Sequence, residues 1–106
     1  MPSRAHPAII RAARHCIARL PSNIVPIPAV VPSAAGNLQF EWSAGRRSLE
    51  LEIENPATIH YLKWDPSEEV EEEDIFSIED TDRMVDLIQW FVGGVRCTRR
   101  HATDLC

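Results

Sequence analysis

Glu41, Glu50, Glu52 and Glu54 fall within a stretch of fourteen residues, and His60, Leu62 and Trp64 follow closely. Side chains of these types at this spacing suit three kinds of chemistry. Glu41, Glu50, Glu52 and His60 could run acid–base hydrolysis or hold a metal ion, which is one reading of the chain as a small enzyme. A field of carboxylates around a tryptophan could instead dock a cationic protein. Acid–base work needs a cleft in which burial raises one carboxyl pKa, and a metal needs several convergent ligands. Glutamates that alternate along strands stand on an open face, which provides neither. Docking needs only complementary charge and an anchoring side chain, a role tryptophan fills often. The expected partner-binding set is therefore Glu41, Glu50, Glu52, Glu54, His60, Leu62 and Trp64.

Other chemistries find less support. No G-x-S-x-G occurs, and Ser33, Ser43 and Ser48 have no histidine placed beside them. His15 and Cys16 are sequence neighbours and point to different sides of a helix. Cys16, Cys97 and Cys106 are odd in number and lack C-x-x-C spacing, so reduced thiols are expected rather than disulfides. Cys97 and His101 have no second pair with which to hold zinc. No glycine-rich phosphate loop is present, and Gly93-Gly94 reads as a helix stop. No metal and no cofactor is expected.

The elements that must position the acidic set are legible from periodicity. Residues 6–20 read as a helix with Pro7 in its first turn and an apolar stripe of Ile9, Ile10, Ala13, Ile17 and Leu20. Arg11, Arg14 and Arg19 lie off that stripe, and His15 reads as a surface residue. A proline-rich connection, 21–37, carries Pro21, Pro26, Pro28 and Pro32 and leaves room only for a short edge strand at 29–31. Gly36 and Asn37 suit a turn with positive φ.

The sheet spans 38–64. Leu38, Phe40 and Trp42 alternate with Gln39, Glu41 and Ser43, and Leu49, Leu51 and Ile53 alternate with Glu50, Glu52 and Glu54. Pairing Trp42 with Leu49, Phe40 with Leu51 and Leu38 with Ile53 leaves a four-residue loop, 44–47. That register sets Glu41 opposite Glu50 and Gln39 opposite Glu52. Like charges so placed cost roughly a few tenths of a kcal/mol or more. His60 or the Arg46-Arg47 loop would offset part of it. After a turn at Asn55-Pro56 comes a third strand with Ile59 and Tyr61 on the core face and His60, Leu62 and Trp64 on the other. Trp64 either anchors a partner or folds under the sheet edge, and Trp90 reads as core.

Residues 65–79 read as a solvated acidic loop, with Ile75, Phe76 and Ile78 as a short strand or anchor. A last helix, 80–92, takes Asp80 or Thr81 as its cap and Asp82 in its first turn, with Met84, Val85, Leu87, Ile88, Phe91 and Val92 on its apolar stripe. Residues 95–106 read as a flexible basic tail. The chain is thus one α+β domain, 1–94: an N-terminal helix, a three- to four-stranded antiparallel meander and a C-terminal helix packed on one sheet face.

Charge sharpens the picture. The chain carries a formal −5, but residues 1–40 hold four arginines and no carboxylate, whereas 41–94 hold fifteen carboxylates against four basic residues, a balance of −11. No nucleic acid is expected on the central domain, because phosphate contacts need clustered Lys or Arg. The helix–strands–helix order is shared with double-stranded-RNA-binding domains, but those use basic residues where this chain has Glu79-Asp80-Thr81-Asp82. No apolar run is long enough to span a membrane. The first twenty residues have the basic, acid-free look of an import segment, against which stand Pro7 and the lack of serine enrichment.

The run from Pro26 to Glu54, "PIPAVVPSAAGNLQFEWSAGRRSLELEIE", resembles a widespread set of small bacterial proteins. These share a proline-rich lead-in, a glycine turn, a strand ending in Glu-Trp and a second strand of Leu-Glu-aliphatic-Glu type. Ala35 stands where an acidic residue often precedes the glycine, and an upstream tryptophan segment common in the set is missing. The resemblance implies a bacterial, cytoplasmic protein with a hairpin here, and it carries over no functional residue. The expectation that emerges is a small non-enzymatic accessory or adaptor protein whose acidic face binds a basic protein, for instance as an antitoxin- or inhibitor-like neutraliser of a basic toxin or nuclease. The alternative is a structural or regulatory domain that self-associates, as a homo-oligomer, through strand edges or helix faces.

Overall fold

The computed structural model describes residues 7–20, 26–33 and 35–97. Its elements run α1 (Pro7–Ala18), β1 (Ala29–Pro32), β2 (Leu38–Ala44), β3 (Arg47–Asn55), β4 (Thr58–Asp65), β5 (Val70–Ser77) and α2 (Thr81–Cys97). The five strands form one antiparallel sheet in chain order, a meander, with both helices on one face. The α+β expectation holds, with one strand more than the sequence reading allowed.

The β2–β3 hairpin forms in the expected register, with Trp42 opposite Leu49, Phe40 opposite Leu51 and Leu38 opposite Ile53. Its loop is tighter than expected. Ala44 pairs with Arg47, so only Gly45 and Arg46 turn the chain. Gly45 takes φ 60°, a conformation that a side chain disfavours and that a two-residue hairpin turn needs at its first position. The second turn, at Pro56 and Ala57, is held by Asn55, whose Oδ1 accepts from Ala57 N–H at 2.8 Å. A bulge between Ile53 and Asn55 precedes it.

One face of the sheet supplies the core. Phe40, Trp42, Leu49, Leu51, Ile53, Ile59 and Tyr61 are buried, because each has the parity that points it toward the helices. Trp42 also donates its Nε1–H to the Pro26 carbonyl at 2.9 Å, which ties the proline-rich connection to the sheet. β1 occupies the expected edge position and, among the described residues, pairs only with β2. Residues 21–25 and 34 of that connection lie outside the described residues.

α1 packs on β2 and β3 through Ile9, Ala12, Ala13 and Cys16, and Leu20, just beyond its end, joins the same core. This corrects the expected stripe: Ile10 and Ile17 are exposed, and the smaller Ala12 and Cys16 take their place against the sheet. Small residues let the helix approach closely, and the apolar residues at three- and four-residue spacing cover a broader arc of the helix than the sheet buries. At the end of α1, Arg19 donates to the Ile78 and Glu79 carbonyls at 3.2 and 2.8 Å, joining the helix to the β5–α2 link. α2 lies on β3 through Met84, Leu87, Ile88 and Phe91, and Asp80 caps it by accepting from Arg83 N–H at 3.0 Å. It does not stop at Gly93-Gly94 but continues to Cys97. Two glycines cost about 1 kcal/mol each in a helix, which weakens but does not end it. Residues 95–97 of the expected tail are therefore helical, and 98–106 lie outside the described residues.

The acidic stretch is the largest departure. Residues 65–79 are not a loop: Val70–Ser77 pairs along its whole length with Thr58–Asp65 as β5. Cross-strand partners override the poor strand propensity of "VEEED". Phe76 packs against Tyr61 at 5.9 Å between ring centroids. The Tyr61 hydroxyl donates to Glu72, and the Arg83 guanidinium reaches the same hydroxyl at 2.7 Å. Only Pro66–Glu69 remains as the turn, with Glu69 at φ 55°.

Asp65 anchors that turn. Its carboxylate accepts from the Ser67 hydroxyl and N–H at 2.6 and 3.0 Å and pairs with Arg47 Nε at 2.9 Å. Arg47 in turn donates to the Trp90 carbonyl at 2.6 Å and lies 4.2 Å from the Trp90 ring, so one guanidinium joins two hairpin ends to α2. The Ser67 hydroxyl above all, and then Arg47, hold the Asp65 carboxyl below its ordinary 3.8, against the opposing effect of burial. A depressed folded-state pKa contributes stability that is present above 3.8 and lost as pH falls through the folded value. Asp65→Ala is expected to cost about 3 kcal/mol in urea denaturation, because it strands Arg47. Below pH 3.8 the wild type should lose stability more steeply than Asp65→Asn, which has nothing to titrate there.

Candidate functional site

The face of the sheet turned away from the helices is a grid of three rows that cross β2, β3, β4 and β5. The first row is Gln39, Glu52, His60 and Ile75; the second is Glu41, Glu50, Leu62 and Glu73; the third is Ser43, Ser48, Trp64 and Glu71. Every residue of the expected partner-binding set except Glu54 falls in this grid. Glu54 sits at the β3 bulge, exposed beside it.

Glu41 does stand opposite Glu50, and the chain relieves the pair by means of Gln39. The Gln39 Nε2 amide donates to Glu41 and, at 2.7 Å, to Glu50, so one neutral side chain bridges both carboxylates. Asn37 serves Glu52 in the same way, with Nδ2 donating at 2.8 Å. The expected relief from the Arg46-Arg47 loop does not occur through Arg47, which is spent on Asp65 beneath the sheet. His60 pairs with Glu73 at 3.1 Å. Neutral amides thus fix the positions of Glu41, Glu50 and Glu52 without adding a compensating charge to the face.

Trp64 is 45% exposed, set between Ser48 and Glu71, and does not fold away beneath an acidic loop. Leu62 is half-buried between Glu50 and Glu73. Ile75, across from His60, is 57% exposed. Glu71, Glu73 and Ile75 are the face residues that the sequence reading missed. Once Glu68–Asp74 reads as a loop, no alternation remains to place them, and both flanks of β5 are polar.

Trp90 is half-buried, as expected of a core residue near the edge of its stripe, and is covered by Arg47 and by Lys63 at 5.0 Å. Among the described residues no three His, Cys, Asp or Glu side chains are placed to hold a metal ion. Cys16 is free and buried, and burial pushes its thiol up to about 11, with Arg19 opposing and Glu79 assisting. At neutral pH it is a packed thiol rather than a nucleophile. His15 is exposed, as expected, and faces Glu79 at 3.5 Å. No helix of the described residues is long and apolar enough to cross a membrane.

The amide bridge makes a direct prediction. Gln39→Glu would place a third carboxylate between Glu41 and Glu50 and remove both donors. Thermal melts should show a loss of about 1 kcal/mol at low salt. Much of that loss should return at high salt, because these side chains are within reach of solvent.

Comparison with protein-family models, with curated proteins and with solved structures finds no match to this chain.

Proposed function

We propose that the protein is a non-enzymatic interaction module whose outer sheet face docks a locally basic protein. The observation that carries this reading is the placement of Trp64, 45% exposed, within a field formed by Glu41, Glu50, Glu52, Glu71 and Glu73. A solvated sheet face has no need of a large exposed indole, whereas an interface gains most from one ringed by complementary charge. Gln39 and Asn37 hold Glu41, Glu50 and Glu52 in fixed positions, which lowers the ordering cost of binding. An accessory subunit, or a neutraliser of a basic toxin or nuclease, uses charge in this way.

Charge reversal separates docking from folding. The double variant Glu50→Lys/Glu52→Lys is expected to lose the partner that the tagged wild-type chain retains from its own host, with a melting temperature unchanged or higher. A partner retained in full by the double variant would contradict the reading. Self-association is the second reading, and the exposure of Ile10, Ile17, Ile27 and Val30 favours it. It predicts a dimer mass in light scattering that persists in moderate salt, and a clean monomer would remove it.

A further inference from the structure

The two edges of the sheet differ. β1 ends in Pro32 and is preceded by Pro28, and a proline has no N–H to offer another strand. β5 contains none, and among the described residues it pairs only with β4. Backbone groups alternate along a strand between its two sides. Ile78 N–H donates inward to the Ala57 carbonyl at 2.9 Å, which fixes the parity of the neighbouring even-numbered residues. Ile75 N–H turns the other way and is taken at 2.8 Å by the carboxylate of Asp74. Glu71, Glu73 and Ile75 therefore present their N–H and C=O groups to the open edge.

We infer that a partner adds a strand at this edge: an extended segment bearing lysine or arginine pairs with Glu71–Ile75 as a sixth strand of the sheet. The inference rests on the docking reading above and names the form of the partner. The occupant follows from charge. Glu71 and Glu73 flank the edge on the outer face, Glu72 and Asp74 on the inner face, and all four are exposed. A second copy of this chain pairing through the same block would set carboxylate against carboxylate, which is destabilising in directly opposed positions. A basic strand reverses the sign of every such pair. Exposed Ile75 and Trp64 give the aliphatic stems of its lysines and arginines apolar surface to cover. Acidic side chains on an edge normally protect it from adding strands. Here they leave it open to one class of strand, a basic one.

The test uses the full chain, isotope-labelled, with a short blocked peptide alternating lysine and threonine as the probe, read by NMR at low salt. Exchange of the Glu71 and Glu73 amides is expected to slow by about tenfold when peptide saturates the chain. Glu73→Pro removes an outward N–H without touching the β4 ladder, and Glu73→Gln removes the same charge and keeps that N–H. The proline variant should bind the peptide about tenfold more weakly than the glutamine variant. Equal affinities of the two, with shift changes confined to Gln39, Glu50 and Glu52, would overturn the edge and leave the face reading standing. Peptide binding that leaves the Glu71 and Glu73 amides exchanging as before would overturn it too, and this measurement stands even if the proline variant fails to fold. No binding of the peptide by the wild type also overturns it, and the face reading then rests on the charge-reversal result with the host partner.

Discussion

The register of β2 against β3 is the constraint on which the rest of the molecule depends. Side chains alternate across a strand, so a slip of one residue would either turn Glu41 inward and expel Phe40 and Trp42, or turn Glu50 and Glu52 inward and expel Leu49 and Leu51. Burial of those apolar side chains therefore fixes the acidic face as firmly as it fixes the core. The tight turn at Gly45 and the Asn55-Pro56 turn extend the same parity to β4, and β4 hands it on to β5. A surface with this much like charge would not assemble for its own sake. It is held in place from underneath.

Three polar devices then complete the frame. Arg47 binds the end of one hairpin to Asp65 at the end of β4 and to the Trp90 carbonyl of α2. Arg19 binds α1 to the link before α2. Gln39 and Asn37 place amide donors between the outer carboxylates. The first two use arginine where several carbonyls and carboxylates converge, for which its fork of donors is suited. The third uses neutral amides, so relief of repulsion costs the face none of its charge.

Much of this was legible in the residues. Alternation in Leu38–Trp42 and Leu49–Ile53 was enough to set the hairpin register and hence the Glu41–Glu50 pairing, and Ile59 and Tyr61 continued it. Two elements were not legible. β5 has acids on both faces, so it has neither alternation nor propensity, and only its pairing with β4 and the Tyr61–Phe76 contact make it a strand. The end of α2 was hidden by Gly93-Gly94, which read as a stop because glycine is disfavoured in a helix and is not forbidden there. Missing β5 hid Glu71, Glu73 and Ile75, so the face was read as narrower than it is. The role of Gln39 could not be seen either, since an amide between two carboxylates is a fact of side-chain geometry and not of spacing.

Trp64 reports on the outer face more directly than any other side chain, and Trp42, 3% exposed, serves as its internal control. Hydroxyl-radical footprinting of the tagged chain, alone and with the partner it retains from its host, reads both indoles at once. Docking on the acidic face requires oxidation of Trp64 to fall sharply on binding while Trp42 stays unreactive in both states. Trp64 oxidised equally in the two states, with protection appearing at Ile10 and Ile17 on α1 instead, would place the partner on the opposite side and contradict the assignment.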